Sequence, residues 1–313
     1  MASASSGAFA QMEIDVPAMA VALKKDMGSN KPYELFPNRV MVAGYNLGAY
    51  RTATAVGTAR GLLGGGYNAK SKVELTAEGI DEALLTRIAD AAYADLVAQL
   101  GAAGFEVVPL DQAMASPGAA KLKFGGVPYE STVPVENGKK RALIVGPGAT
   151  GVRRNYPLAK LEIGSFGAPG LSSELQAMIV MPNVVLDFAQ LKGSKFGNKA
   201  TSEAELQFAI DPYHTRGRVM ASTRSQFAEG DIIYVLADDV ASDADFGAIG
   251  KSASRDNGLE RGLGAALGMG VVAKSKKEAT VQIDPQSYEK LARSAVRGWN
   301  AALVAQMKAA VGR

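Results

Sequence analysis

The chain has 313 residues, 47% of them hydrophobic, which is enough to bury the core of one large domain or two small ones and excludes a disordered chain. Its 34 basic and 31 acidic side chains are scattered and leave a net charge of +3, so there is no broad electrostatic footprint for nucleic acid. With no cysteine and one histidine, His214, disulfides, thiolate metal sites, cysteine nucleophiles and any metal site needing two imidazoles are excluded.

Ser3 to Ala10 is mostly small residues and ends Ala8-Phe9-Ala10 before Gln11, the composition required at a signal-peptidase cleavage point. Residues 1–10 therefore read either as a signal-peptide remnant or as an ordinary flexible tail. Residues 11–38 mix short apolar pieces with Lys24, Lys25, Asp26, Gly28, Asn30 and Pro32, which predicts an extended N-terminal arm over 1–38. Arg39 to Tyr45, with its Val-Met-Val-Ala run, is a predicted strand. Asn46 to Ala69 is rich in Gly, Ala and Thr and carries Gly64-Gly65-Gly66, which marks a flexible insertion or a surface closely approached by another backbone.

Thr76 to Pro109 holds the clearest element. Ile80, Leu84, Ile88, Ala92, Leu96 and Leu100 recur every fourth residue, with Leu85, Tyr93 and Val97 widening the stripe, so an amphipathic helix is predicted. Gly101 and Gly104 stop it, and Phe105 to Val108 reads as a short buried strand closed by Pro109. Together with the strand at Arg39 to Tyr45 this predicts a strand, crossover helix, strand unit.

Pro117 to Gly138 reads as a loop-rich connection, and Arg141 to Val145 as a third strand. Pro182-Asn183 interrupts the apolar run Leu175 to Leu191, predicting two strand pieces, Ala177 to Met181 and Val184 to Leu191. Leu206, Phe208 and Ile210 alternate as in a half-buried strand, and Asp231 to Leu236 and Ala279 to Ile283 are further strands. Between them, residues 247–272 form a second glycine-rich tract, ambiguous between loose helix and twisted strand. Asp284 before Pro285 is a helix start, because proline needs no amide partner at the first helical position. Tyr288, Leu291, Ala295, Trp299, Leu303 and Met307 form the core face of that last helix. Burying the larger ones is worth roughly 1.5 to 3 kcal/mol each before entropy, so the helix docks. The fold class is α/β (α+β): one domain over 39–313, a mixed sheet packed with helices, with insertions at about 46–75 and 247–272.

Four motifs invite chemistry. Gly64 to Ser71 falls one residue short of a phosphate-binding loop, because Ala69 stands where glycine is needed and Lys72 to Leu75 reads as strand. A glycine-rich hairpin tip is preferred. Gly146 to Gly151, followed by Arg153 and Arg154, has the amides and guanidinium groups to cradle an anion, but a turn with a solvated basic pair is favoured. Asp238, Asp239, Asp243 and Asp245 depart from calcium-loop spacing and read as an acidic turn. His214 lies beside Arg216 and Arg218 with no assured orienting carboxylate, and reads as a surface turn residue. No catalytic, cofactor-binding or metal-binding residue is assigned, and no enzymatic activity is expected.

The stretch Leu84 to Pro109, L-L-T-R-I-A-D-A-A-Y-A-D-L-V-A-Q-L-G-A-A-G-F-E-V-V-P, resembles the helix and strand of bacterial envelope proteins related to the curli secretion channel, the CsgG-like family. The order of later elements continues the resemblance: the strands of Ala177 to Leu191, the strand at Asp231 to Leu236 and the helix after Asp284-Pro285. The resemblance implies a periplasmic α/β domain that assembles with itself into a ring. It further implies amphipathic hairpins lent to a shared outer-membrane β-barrel, through which a secreted polypeptide or envelope accessory protein would be handled. The glycine-rich tracts are the candidates for such transmembrane hairpins. No run of about 18 apolar residues predicts a membrane helix, and that test does not bear on barrel strands, which need only about 9 to 11 alternating residues. Channel members carry an N-terminal lipidated cysteine, which this sequence lacks. A soluble periplasmic accessory or scaffold protein that forms no pore is the alternative reading.

Overall fold

The computed structural model describes residues 16–60, 68–122, 124–135, 138–153, 167–196, 199–224, 226–250, 253–256 and 274–312. The first part of the chain forms β1 (Leu23–Gly28), α1 (Lys31–Leu35), β2 (Arg39–Val42), β3 (Asn46–Arg60), β4 (Asn68–Glu78), α2 (Glu82–Ala102) and β5 (Glu106–Val107). Then come α3 (Leu110–Met114), α4 (Pro117–Leu122), β6 (Tyr129–Val135), β7 (Gly138–Val145), α5 (Ala168–Leu175), β8 (Met178–Phe196) and β9 (Lys199–Ile210). The remainder is β10 (Arg216–Ala221), β11 (Gly230–Leu236), β12 (Val240–Ser242), β13 (Gly247–Ile249), β14 (Ala253–Asp256), β15 (Lys274–Ile283) and α6 (Pro285–Ala310).

The strands form one large mixed sheet whose main path runs β1-β11-β10-β8-β3-β4-β15-β13. Its centre is covered on both faces, and alternation along single strands shows why. In β2, Val40 and Val42 enter the core beneath α2 and α6, while Met41, with the following Ala43, enters a second core beneath α3, α4 and α5. Met178 and Val180 divide from Ile179 and Met181 in the same way on β8.

α2 starts where Asp81 accepts the Leu84 amide at 2.7 Å. α6 starts where Asp284 accepts the Ser287 amide at 2.7 Å, with Pro285 at the first position as predicted. Tyr288, Ala295, Trp299, Leu303 and Met307 are buried, and Leu291 is half-buried. Asn300 ties the layers together: its amide donates to the Ala92 carbonyl at 2.9 Å, and its oxygen accepts from Tyr45 at 3.1 Å. β2 and β5 pair in parallel with α2 between them, so the predicted unit is present, with the β3–β4 hairpin inserted after β2.

Several expectations are corrected. The N-terminal arm contributes β1, which pairs with β11 as an edge strand, and α1. Pro117 to Gly138 carries α4 and β6. β8 runs unbroken through Pro182. On one side of β8, β2 is in register only to Val180 and β3 only from Asn183. The Val180 carbonyl accepts from Ala43 on that side, and Pro182, two residues on, faces the same way. Pro182 thus falls in the gap between two neighbours, where a missing amide breaks no ladder bond.

Three hairpins point one way. β3 runs parallel to β8, and β4 runs parallel to β15. The antiparallel pairs β3–β4, β8–β9 and β14–β15 therefore turn at the same end of the sheet. Residues 61–67, 197–198 and 257–273 lie outside the described residues, so most of the second glycine-rich tract does too. Near its base the β3–β4 hairpin has a buried apolar face of Ala53, Ala55, Leu75 and Ala77, while Thr52, Lys72 and Glu74 face the other way, half-buried.

Residues 16–19 lie against α6, where Ser294 Oγ donates to the Pro17 carbonyl at 2.6 Å and Arg297 to the Val16 carbonyl at 2.7 Å. A Cβ at Gly298 would stand 2.1 Å from the Met19 carbonyl oxygen. In an open helix, Gly→Ala gains about 1 kcal/mol of propensity. Here Gly298→Ala is expected to lower stability, by about 1–3 kcal/mol as for overpacking, or to detach residues 16–22. Urea denaturation of the two proteins checks the sign.

Candidate functional site

The roots of the hairpins enclose a buried polar cluster. β3 pairs with β8 only from Asn46 to Ala49, against Asn183 to Leu186, and the next positions are Tyr50 on β3 and Asp187 on β8. Both are at β-bulges, Tyr50 where β3 shifts against β7 and Asp187 where β8 shifts against β9. Asp187 holds its bulge with one oxygen, which accepts the Phe188 amide at 2.8 Å and the Ala189 amide at 3.2 Å. Its other oxygen accepts from Lys140 of β7. The Lys140 ammonium also donates to the Ala189 carbonyl at 2.6 Å and lies 5.3 Å from the centre of the Tyr50 ring.

Asp211 follows β9 and folds the turn into β10. Its Oδ1 accepts the Tyr213 amide at 2.7 Å and the His214 amide at 3.3 Å, the local bonding that favours Asp in turns. That turn swings the His214 ring back, so Nδ1 lies 2.8 Å from Asp211 Oδ2 and 3.0 Å from the Tyr50 hydroxyl, which also donates to Oδ2. The backbone here is fixed from β8: Asn183 donates to the His214 carbonyl at 2.7 Å, and the Val185 amide donates to Thr215 Oγ1 at 3.0 Å.

These contacts set the charges. Burial pushes the Asp187 carboxyl up, against the opposing pull of Lys140, and the negative field of Asp211 adds to the rise. Burial also acts to raise Asp211, but His214, the Tyr50 hydroxyl and the Tyr213 amide together outweigh it and hold this carboxyl below its ordinary value of 3.8. The Tyr50 hydroxyl is pushed far up, by burial first and then by Asp211 and Asp187, so it stays a donor. A cleft of about 280 Å³ opens beside the cluster, with Lys140, Asp187 and Asp211 in its lining and Tyr213, Asp239 and Val240 along its edge. Both oxygens of each carboxylate are occupied by the protein's own donors. Hydrogen bonds link Tyr50, Asp211 and His214 to one another, and the cluster joins β3, β7, β8 and the β9–β10 turn.

Sequence reasoning placed His214 on the surface, and the structure corrects this: it is 9% exposed and oriented by Asp211. Arg153 is likewise buried against the Phe124 ring rather than solvated, while Arg154 lies outside the described residues. In the Gly146 to Gly151 turn the Gly148 amide donates to Asp90 at 2.8 Å, so an internal carboxylate occupies part of the suspected cradle. Of the Gly64 to Ser71 motif, residues 64–67 lie outside the described residues, and Lys70 and Ser71 lie in β4 and do not open a helix. Asp238 and Asp239 follow β11, while Asp243 and Asp245 follow β12. Among the described residues no group of three His, Asp or Glu side chains is placed to hold a metal ion. Sequence reasoning missed Tyr50, Lys140 and Asp187. The available signal was Asp187 itself, a carboxylate interrupting the apolar run Val184 to Phe188.

Fold and site together define an α/β protein with a large mixed sheet and a polar cluster at the base of its hairpins. The chain matches no family model, no curated protein and no solved structure.

Lys140→Met is expected to cost about 3–5 kcal/mol, because it leaves the Asp187 charge buried without its partner, and Lys140→Met with Asp187→Leu to recover most of that loss. A double-mutant cycle in urea reads the coupling. Asp211 has a depressed pKa, so its contribution to stability is complete above its ordinary 3.8 and is lost as pH falls through the folded value. The stability gap between the wild type and Asp211→Asn should therefore narrow on acidification from about pH 6 to about pH 2.5, as followed by denaturation at each pH.

Proposed function

We propose that this chain is a non-enzymatic subunit of a homo-oligomeric ring in the bacterial envelope, a CsgG-like secretion or assembly channel whose hairpins contribute to a shared outer-membrane β-barrel. The observation that carries this reading is the common direction of the β3–β4, β8–β9 and β14–β15 hairpins, set by two parallel pairings. A shared barrel needs strands that leave each subunit on one side with adjacent tips. The base of the β3–β4 hairpin has the two-faced alternation that such strands require, with Ala53, Ala55 and Leu75 opposite Thr52, Lys72 and Glu74. No helix among the described residues is long and apolar enough to cross a membrane, so strands are the only described elements available for that purpose. The partners would be further copies of the chain, outer-membrane lipid, and a secreted polypeptide or envelope accessory protein.

One observation favours the alternative, a soluble periplasmic scaffold without a pore. Ala53 and Leu75 of one hairpin and Phe208 of another belong to the same buried core, so the hairpin bases cover each other within one subunit. The two readings separate on the purified particle. The channel reading expects rings that require detergent, seen by electron microscopy, and stepwise conductance in planar bilayers. A water-soluble monomer that never conducts would contradict it and leave the scaffold reading standing.

A further inference from the structure

On the outer face of β3, β4, β6 and β7 lies a second cleft, of about 200 Å³. Its lining holds Lys72, Lys139, Arg141 and Glu74, while Lys140, which also borders it, is turned to Asp187. We propose that the cleft is a binding site for a phosphoryl group, taken either as a free phosphate ion or as the headgroup of a phospholipid.

The cleft follows from register. Arg141 and Lys139 of β7 stand opposite Thr52 and Thr54 of β3, and Thr132 of β6 stands opposite Arg141. Period-2 alternation brings these side chains to one face, away from the buried cluster on the other. Lys72 is held by Glu74 at 2.6 Å, which leaves the carboxylate neutralised within the cleft. Arg141 has one loose ion pair, to Glu130 at 3.6 Å, and is half exposed. Lys139 is exposed, and no ion pair binds it among the described residues. A fork-shaped guanidinium beside a mobile ammonium is a suitable donor pair for a phosphoryl group.

Thr54 adds a hydroxyl to the lining and is 5% exposed. A hydroxyl both donates and accepts, so it can donate to an oxygen-rich ligand in the cleft. The small volume suits a compact anion better than a drug-sized ligand, for which pockets begin at roughly 300 Å³. The Lys139 ammonium, unpaired among the described residues, and the exposed Arg141 guanidinium favour an anion.

The site stands apart from the channel reading, because free phosphate can be titrated against the full chain in solution whether or not any pore exists. Calorimetric titration with inorganic phosphate, at constant ionic strength of about 0.15 M, is expected to show saturable binding. Lys139→Gln with Arg141→Gln should weaken it at least about tenfold, and Thr54→Val, which leaves every charge in place, about threefold. Lys24→Gln with Lys25→Gln, two exposed cations on the β1 edge, should leave it unchanged. Circular dichroism of each variant confirms the fold, and the Thr54→Val arm remains informative if the double variant does not fold. Co-sedimentation with phosphatidylcholine vesicles, with and without phosphatidic acid, separates the sources. Capture only by phosphatidic acid, lost in the Lys139 and Arg141 variant, assigns a lipid headgroup. Phosphate binding without capture assigns a free ion. The proposal is overturned if neither phosphate nor phosphatidic acid is bound, or if the Lys24 and Lys25 variant loses binding as much as the Lys139 and Arg141 variant.

Discussion

The parallel register of Asn46 to Ala49 against Asn183 to Leu186 is a short contact on which much else depends. It lies in the middle of the sheet, where side chains on both faces are buried. Moving β3 along β8 by one residue would exchange the two sets of side chains between faces. Leu47 and Ala49 would leave the α2 and α6 core, and Tyr50 would leave Asp211. Because β3 and β8 are each the first strand of a long hairpin, this pairing also makes both hairpins run the same way.

The polar cluster directly above that contact strengthens the specification. A sheet held by apolar packing alone tolerates related registers, whereas a buried carboxylate is tolerated only where its donors are. Asp187 has Lys140 and two bulge amides; Asp211 has Tyr50, His214 and the turn amides. Each bulge adds a residue at the place where the pairing would otherwise continue, which bends the strands as they leave the body. The outer face of the same strands, by contrast, keeps its cations and threonines unoccupied by the core. One set of strands thus presents a fixed interior and an available exterior.

The sequence was informative where a local rule coincided with the fold. α2 and α6 were legible because a repeat of about 3.6 residues was bounded by Asp81 and Asp284, whose caps are local bonds. The break predicted at Pro182 was wrong because proline is excluded from a central strand only where its amide is needed, and that depends on neighbours distant in sequence. His214 was misplaced for the converse reason. Its carboxylate is three residues away, but only the turn that Asp211 folds brings the two together. Lys140 and Asp187 lie 47 residues apart, and no local pattern joins them. The common direction of the hairpins was equally hidden, since it follows from which strands pair in parallel.

The central claim is that the aligned hairpins enter a bilayer. The chain has no cysteine, so single substitutions along β3, from Thr52→Cys to Arg60→Cys, can each carry an environment-sensitive fluorophore on an otherwise unlabelled protein. On adding vesicles, the account predicts a blue shift at every second position, the period of a strand with one face on lipid. Spectra unchanged by vesicles at all positions would contradict it.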